Sequence, residues 1–153
     1  MLCDLDDARW GLGSFDIIIA VFFLHHLADR VHEDLPRRIY ELLKPGGMFY
    51  ALDPSYYRLS GAIGKLLFPG LMRRYQTADE VQLRPASTWN AFSRAGFEVG
   101  RSFYDFASTP LAGLIPSWKA GYVAARYLDN ILIRLPLLRQ VSSNFEIVAQ
   151  KPS

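Results

Sequence analysis

Residues 15–54 hold the pattern that most restricts what this chain can fold into. Phe15 to Phe23 is an almost unbroken apolar run centred on Ile17-Ile18-Ile19-Ala20-Val21. Its shortness and β-branched side chains suit a strand buried on both faces, as the strands of parallel sheets are. Asp34 then stands where a helix N-cap belongs, with Pro36 in the first turn, where a missing N–H costs nothing. Leu35, Ile39, Leu42 and Leu43 recur at i, i+4, i+7 and i+8, one apolar face of a short helix. Lys44-Pro45-Gly46-Gly47 stops that helix, and Met48 to Leu52 reads as a second buried strand ending at a turn, Asp53-Pro54. Strand, helix, glycine turn and strand make a βαβ unit, which demands a parallel sheet with a crossover helix on its face. The fold class is therefore α/β.

The rest of the chain adds to that unit. Leu59 to Leu71 is apolar with interspersed Gly and Lys, and residues 59–83 read as an inserted helical lid. A helix over Ser87 to Ala95 ends at Gly96, and strands follow at Phe97 to Phe106 and Asn144 to Gln150. Between these strands, residues 111–137 read as a second helical insertion. Leu114, Trp118, Gly121, Ala125, Leu128, Leu132 and Leu135 step by three and four, with Lys119, Arg126, Asn130 and Arg134 on the opposite side. No repeat, low-complexity tract or linker divides the 153 residues, so residues 1–153 are expected to form one domain or part of one.

Charge and cysteine usage narrow the setting. The net charge of +2 gives no reason to expect a nucleic-acid partner, although its distribution is uneven. Residues 1–34 carry seven acids against Arg9 and Arg30, and the remainder of the chain is correspondingly basic. Cys3 is the single cysteine, which rules out an intrachain disulfide and suits a reducing compartment. No signal-peptide pattern is visible, and charge or proline breaks every apolar stretch well before the ~20 residues of a bilayer span. A soluble, cytoplasmic protein is the expectation.

Three segments bring a family into view. Ser14 to Leu27, with its apolar run ending in Leu24-His25-His26-Leu27, resembles the fourth-strand signature of class I S-adenosylmethionine-dependent methyltransferases. Leu42-Leu43-Lys44-Pro45-Gly46-Gly47-Met48-Phe49 resembles the turn into that family's fifth strand, and Ala95-Gly96-Phe97 the entry to its sixth. The close at Val148-Ala149-Gln150-Lys151-Pro152 agrees as well. The resemblance implies a partial Rossmann-like methyltransferase sheet, strands four to seven, mostly parallel with an antiparallel last strand, plus the two helical additions. It also implies S-adenosylmethionine as cofactor and a small-molecule acceptor for the methyl group. The family's first strand, its glycine-rich loop and the acid that holds the ribose would lie upstream of Asp4. Gly11 and Gly13 form a Gly-x-Gly, but between the wrong elements. The resemblance further places the fourth strand beside the first, so without that neighbour Ile17 to Val21 would present an apolar edge open to self-association.

Candidate site residues follow from the same resemblance. In open α/β sheets ligands bind outside the carboxyl ends of the strands, so Val21 and Phe22 would border the methionine portion of the cofactor. Asp4 and Leu5 match the position that meets the adenine amino group. His25 and His26 would stand where methyl group and acceptor meet. Imidazole titrates close to neutrality and can take a proton from an acceptor oxygen or nitrogen; the plainer reading has one histidine capping backbone and the other packing beneath the helix. Asp53, Tyr56 and Tyr57, following the fifth strand, could line the acceptor pocket; the plainer reading makes Asp53-Pro54 a turn and the tyrosines half-buried packing, and Trp118 could form a wall for an apolar substrate. A metal site is not expected, since no spaced set of His and Cys exists. The apolar segments Leu59–Met72 and Leu114–Leu135 allow a core-covering role, a lid over a greasy acceptor, or contact with a membrane surface. The rival to an enzyme is a non-catalytic remnant that works as an interaction or lipid-surface module.

Overall fold

The computed structural model describes residues 11–67, 70 and 81–153. Its sheet has four strands: β1 (Phe15–Val21), β2 (Leu43–Pro54), β3 (Glu98–Asp105) and β4 (Asn144–Gln150), in the order β1-β2-β4-β3. β1 pairs parallel with β2, while β4 runs antiparallel to both β2 and β3. Three strands thus share one direction and the last is reversed, the sheet expected from the sequence. The helices are α1 (Ala28–His32), α2 (Leu35–Leu42), α3 (Leu59–Leu67), α4 (Pro85–Arg94), α5 (Ser108–Leu114) and α6 (Lys119–Leu132).

The core lies on one face of this sheet. Phe49 and Ala51 of β2 and Phe145, Ile147 and Ala149 of β4 meet Val31, Leu35 and Ile39 from α1 and α2, and Trp89 and Phe92 from α4. All are almost fully buried, and burying side chains of this size stabilises by ~1.5–3 kcal/mol each. Phe49 and Phe92 stack with ring centroids 5.1 Å apart, and the Trp89 indole N–H donates to the Glu146 carbonyl at 2.8 Å, so the one polar atom of that ring is satisfied.

Local chemistry differs from the sequence expectation in several places. Asp34 precedes α2, but its side chain caps no backbone N–H. The carboxylate turns instead to Arg30, accepting from Nε at 3.1 Å and Nη2 at 2.7 Å, a forked pairing that replaces the cap. β2 begins at Leu43 rather than Met48, because Leu43 already pairs with Phe15. The glycines of the intervening turn are both required there. Gly46 adopts φ +73°, and a Cβ on Gly47 would come within 3.2 Å of the Asp16 carbonyl as β1 passes.

β1 itself is not buried on both faces. Ile18 and Ala20 pack toward the core, while Ile17, Ile19 and Val21 are 53%, 66% and 48% exposed. Among the described residues β1 has one sheet neighbour, β2. The apolar run therefore encodes a strand whose second face the described residues leave about half exposed.

α6 keeps part of the stripe that its spacing predicts. Gly121, Ala125, Asp129 and Leu132 turn inward, but Leu128 is half exposed. Arg126, expected in solvent, lies back against β3: Nη1 donates to the Tyr104 carbonyl at 2.8 Å and the guanidinium sits 4.0 Å from the Tyr104 ring centroid. A long side chain with a planar cation can cover an aromatic face while its donors reach backbone.

Candidate functional site

The carboxyl ends of β1 and β2 lie side by side, with Val21 opposite Leu52. One residue further on, Phe22 N–H still donates to the Leu52 carbonyl at 2.8 Å, but Phe22 has φ +51°. A positive φ is uncommon outside glycine and costs on the order of 1 kcal/mol or more. This reversal ends β1 abruptly and leaves Val21, Phe22 and Phe23 half exposed at the strand end. Leu24 to Leu27 then form a single 3-10 turn.

Asp53, at the end of β2, organises that turn. Its side chain is buried, and the carboxylate accepts three hydrogen bonds: from Leu24 N–H at 3.3 Å, His25 N–H at 3.1 Å and His25 Nδ1 at 2.7 Å. Burial pushes the Asp53 carboxyl above the usual carboxylate range, and the hydrogen bonds from His25 pull partly against that shift. If Asp53 is ionised, its carboxylate only accepts, and Nδ1 of His25 is then the donor in this bond, which leaves Nε2 on the far side of the ring. The sequence leaves Asp53 either lining the pocket or in a plain turn, and the structure makes it the anchor of the histidine turn. The available signal was its place, an acid directly following the apolar strand Met48 to Leu52.

The other predicted residues are dispersed around this pair. His26 is exposed, its ring centroid 4.1 Å from that of His25. Tyr56 and Tyr57 are about half exposed and meet edge to face at 5.1 Å, with the Arg84 guanidinium 4.9 Å from the Tyr56 centroid. They share a surface with the histidines, because the segment from Val81 to Arg84 spans both: Val81 N–H donates to the His25 carbonyl at 3.2 Å, and Tyr56 N–H donates to the Leu83 carbonyl at 2.9 Å. Trp118 stands apart at the start of α6, half exposed, its ring folded over Gly121 where any Cβ would collide with it. No hydrogen bond or ring contact joins Trp118 to His25, Tyr56 or Tyr57. Asp4 and Leu5 lie outside the described residues. Among the described residues no group of three His, Cys, Asp or Glu side chains could hold a metal ion.

Two further buried acids hold the neighbouring loops. Asp129 of α6 accepts from the backbone N–H groups of Phe106, Ala107 and Ser108 at 3.1, 3.1 and 2.9 Å, pinning α6 to the end of β3. Asp105 accepts from Asn144 Nδ2 at 2.7 Å and from Thr109 N–H at 2.6 Å. Ser143, beside Asn144, bonds Ser60 of α3 at 2.6 Å. Both helical additions are therefore tied to the same end of the sheet as His25 and Asp53.

This mostly parallel α/β sheet with a reversed last strand matches part of the Rossmann-like fold of solved S-adenosylmethionine-dependent methyltransferases. The sequence comparison agrees: residues 1–51 match the family model described as "Methyltransferase domain". No curated protein matches the chain by sequence. Among solved structures, a protein of Haloferax volcanii in complex with the Trm112 methyltransferase activator is 18% identical with a TM-score of 0.57, covering 100% of this chain and 60% of its own. A S-adenosylmethionine-dependent methyltransferase from Archaeoglobus fulgidus is 16% identical with a TM-score of 0.57, covering 94% of this chain and 62% of its own. Phosphoethanolamine N-methyltransferase 2 of Haemonchus contortus, solved with phosphomonomethylethanolamine and S-adenosylhomocysteine, is 19% identical with a TM-score of 0.58, covering 99% and 37%. The family resemblance thus holds in sequence over the first third and in fold over nearly all of the chain. The chain spans less than two thirds of the length of these three proteins.

Proposed function

We propose that this chain supplies the acceptor side of a S-adenosylmethionine-dependent methyltransferase acting on a small, apolar acceptor. The observation that carries the reading is the buried Asp53–His25 pair at the paired carboxyl ends of β1 and β2, where open α/β sheets bind ligands. The half-exposed Val21, Phe22 and Phe23 would border the methylene chain of the cofactor's methionine portion, whose ammonium, carboxylate and sulfonium need polar partners elsewhere. When bound, S-adenosylmethionine supplies a methyl group on a sulfonium, an electrophile that needs no covalent intermediate with the protein. His25 would take the acceptor's proton at Nε2, and Asp53 would hold the ring in the tautomer that can do so. Tyr56 and Tyr57 would line the approach with apolar ring faces. Positioning of the acceptor contributes most of the rate in such a site.

The deciding experiment is calorimetric titration of the purified chain with S-adenosylhomocysteine. Micromolar binding with one site per chain supports the enzyme reading. Absence of heat at concentrations well above that range overturns it for this chain and favours the non-catalytic, interaction-module reading.

A further inference from the structure

The outward face of α6 is apolar where a solvent-facing helix is ordinarily polar. Val123, Tyr127, Leu128 and Ile131 are 65%, 72%, 50% and 48% exposed, and Ala120 and Ala124 lie between them. Leu137, five residues beyond the end of α6, is a further apolar side chain that is 88% exposed. Monomeric proteins rarely leave so continuous an apolar surface without a partner. Its inward face is fully engaged by Asp129 and Arg126 with β3 and the loop after it, so α6 cannot roll over to bury the exposed side.

The charge around this patch is of one sign. Between Phe106 and Phe145 the only acid is Asp129, which is buried and committed to three backbone N–H groups, while Lys119, Arg134 and Arg139 are exposed. None of these three makes an ion pair with a described residue. Tyr127 adds an amphipathic ring of the kind favoured where apolar and aqueous phases meet. No helix among the described residues is long and apolar enough to cross a bilayer, so the geometry is that of a helix lying in the interface plane.

We propose that α6 and the segment following it, to Arg139, dock on an anionic lipid surface, with Val123, Tyr127, Ile131 and Leu137 entering the acyl boundary. Lys119, Arg134 and Arg139 meet the lipid phosphates. The inference does not rest on the methyl-transfer reading, since it uses none of the residues around His25.

The test is sedimentation of the full chain with vesicles of phosphatidylcholine alone and of equal parts phosphatidylcholine and phosphatidylglycerol. Binding is expected only to the anionic vesicles and to weaken with added salt. Lys119→Gln, Arg134→Gln and Arg139→Gln should each weaken it about fivefold. Val123→Ser with Tyr127→Ser should weaken it more than about tenfold, with an unchanged thermal transition showing that the fold is kept. No sedimentation with either vesicle overturns the proposal. So does salt-independent binding to both, or a dimer of the chain that the Val123→Ser, Tyr127→Ser variant dissociates, since a second copy would then be the occupant.

Discussion

The Asp53 carboxylate, 28 residues from His25 in sequence, holds the His25 ring through Nδ1 at 2.7 Å and also accepts its backbone N–H at 3.1 Å. One side chain thereby sets both the path of the turn after β1 and the orientation of the ring. These two duties can be separated by substitution. His25→Gln should leave S-adenosylhomocysteine affinity within a few-fold while lowering methyl transfer about 10²- to 10⁴-fold, the usual contribution of a general base. Asp53→Ala should unfold more readily by about 1–3 kcal/mol, because two backbone N–H groups lose their acceptor. Denaturant unfolding and turnover measured on the same preparations distinguish the two effects.

The same carboxyl gives a pH signature. Burial holds Asp53 above the usual carboxylate range in the folded chain, so the native state binds its proton to a higher pH than the unfolded state does. The stability that this contributes is fully present below the unfolded value of about 4, and is lost as pH rises through the raised native value. Asp53→Asn should flatten that part of the stability profile. At the alkaline end, burial and the hydrogen bond to Glu146 raise Tyr50, and burial raises Tyr104. Their contribution is present below about pH 10 and lost as pH rises beyond it. Tyr50→Phe should reduce the alkaline loss, as read by chemical denaturation across pH.

Phe22 stores backbone strain at the end of β1. Asparagine tolerates the left-handed region, so Phe22→Asn should change stability by less than about 1 kcal/mol despite the lost ring. Phe22→Val, β-branched and poorly suited to positive φ, should cost about 1–2 kcal/mol. Equal thermal shifts for the two variants would contradict a strained Phe22.

Asp129→Ala should release α6 from the end of β3. Three backbone N–H groups lose a charged acceptor at once, a loss of about 3 kcal/mol if water only partly replaces it. Amide exchange of Phe106, Ala107 and Ser108 should accelerate before that of β2 and β4, and uniform acceleration across the sheet would count against the pinning role.

Ile17, Ile19 and Val21 form an apolar row on a strand with one described neighbour. Concentration-dependent association is expected from such an edge, and Ile19→Lys should suppress it by placing a charge where a second strand would pair. Light scattering over a concentration series reads this directly, and an unchanged particle size for both proteins would show that the row is not an association surface.

The βαβ unit, the glycine turn at Gly46-Gly47, α4 with its stop at Gly96, and β4 are all legible in the sequence. Each of these is written in local terms: a run of β-branched residues, a recurrence at three and four, a glycine where φ turns positive. The sequence also places His25 at a strand end. That Asp53 is the partner of His25 cannot be read from local sequence, because the pairing depends on the register of β1 on β2, in which Val21 meets Leu52 and the two strand ends coincide. The same holds for α6. Periodicity predicts one stripe through Gly121, Ala125, Leu128 and Leu132, but the rotation that turns Leu128 outward and Arg126 inward is set by Asp129 finding the N–H groups after β3 and Arg126 finding Tyr104. Hydrophobic spacing describes a helix alone, whereas directional polar contacts to a distant strand choose its rotation and leave Val123, Tyr127 and Ile131 facing outward.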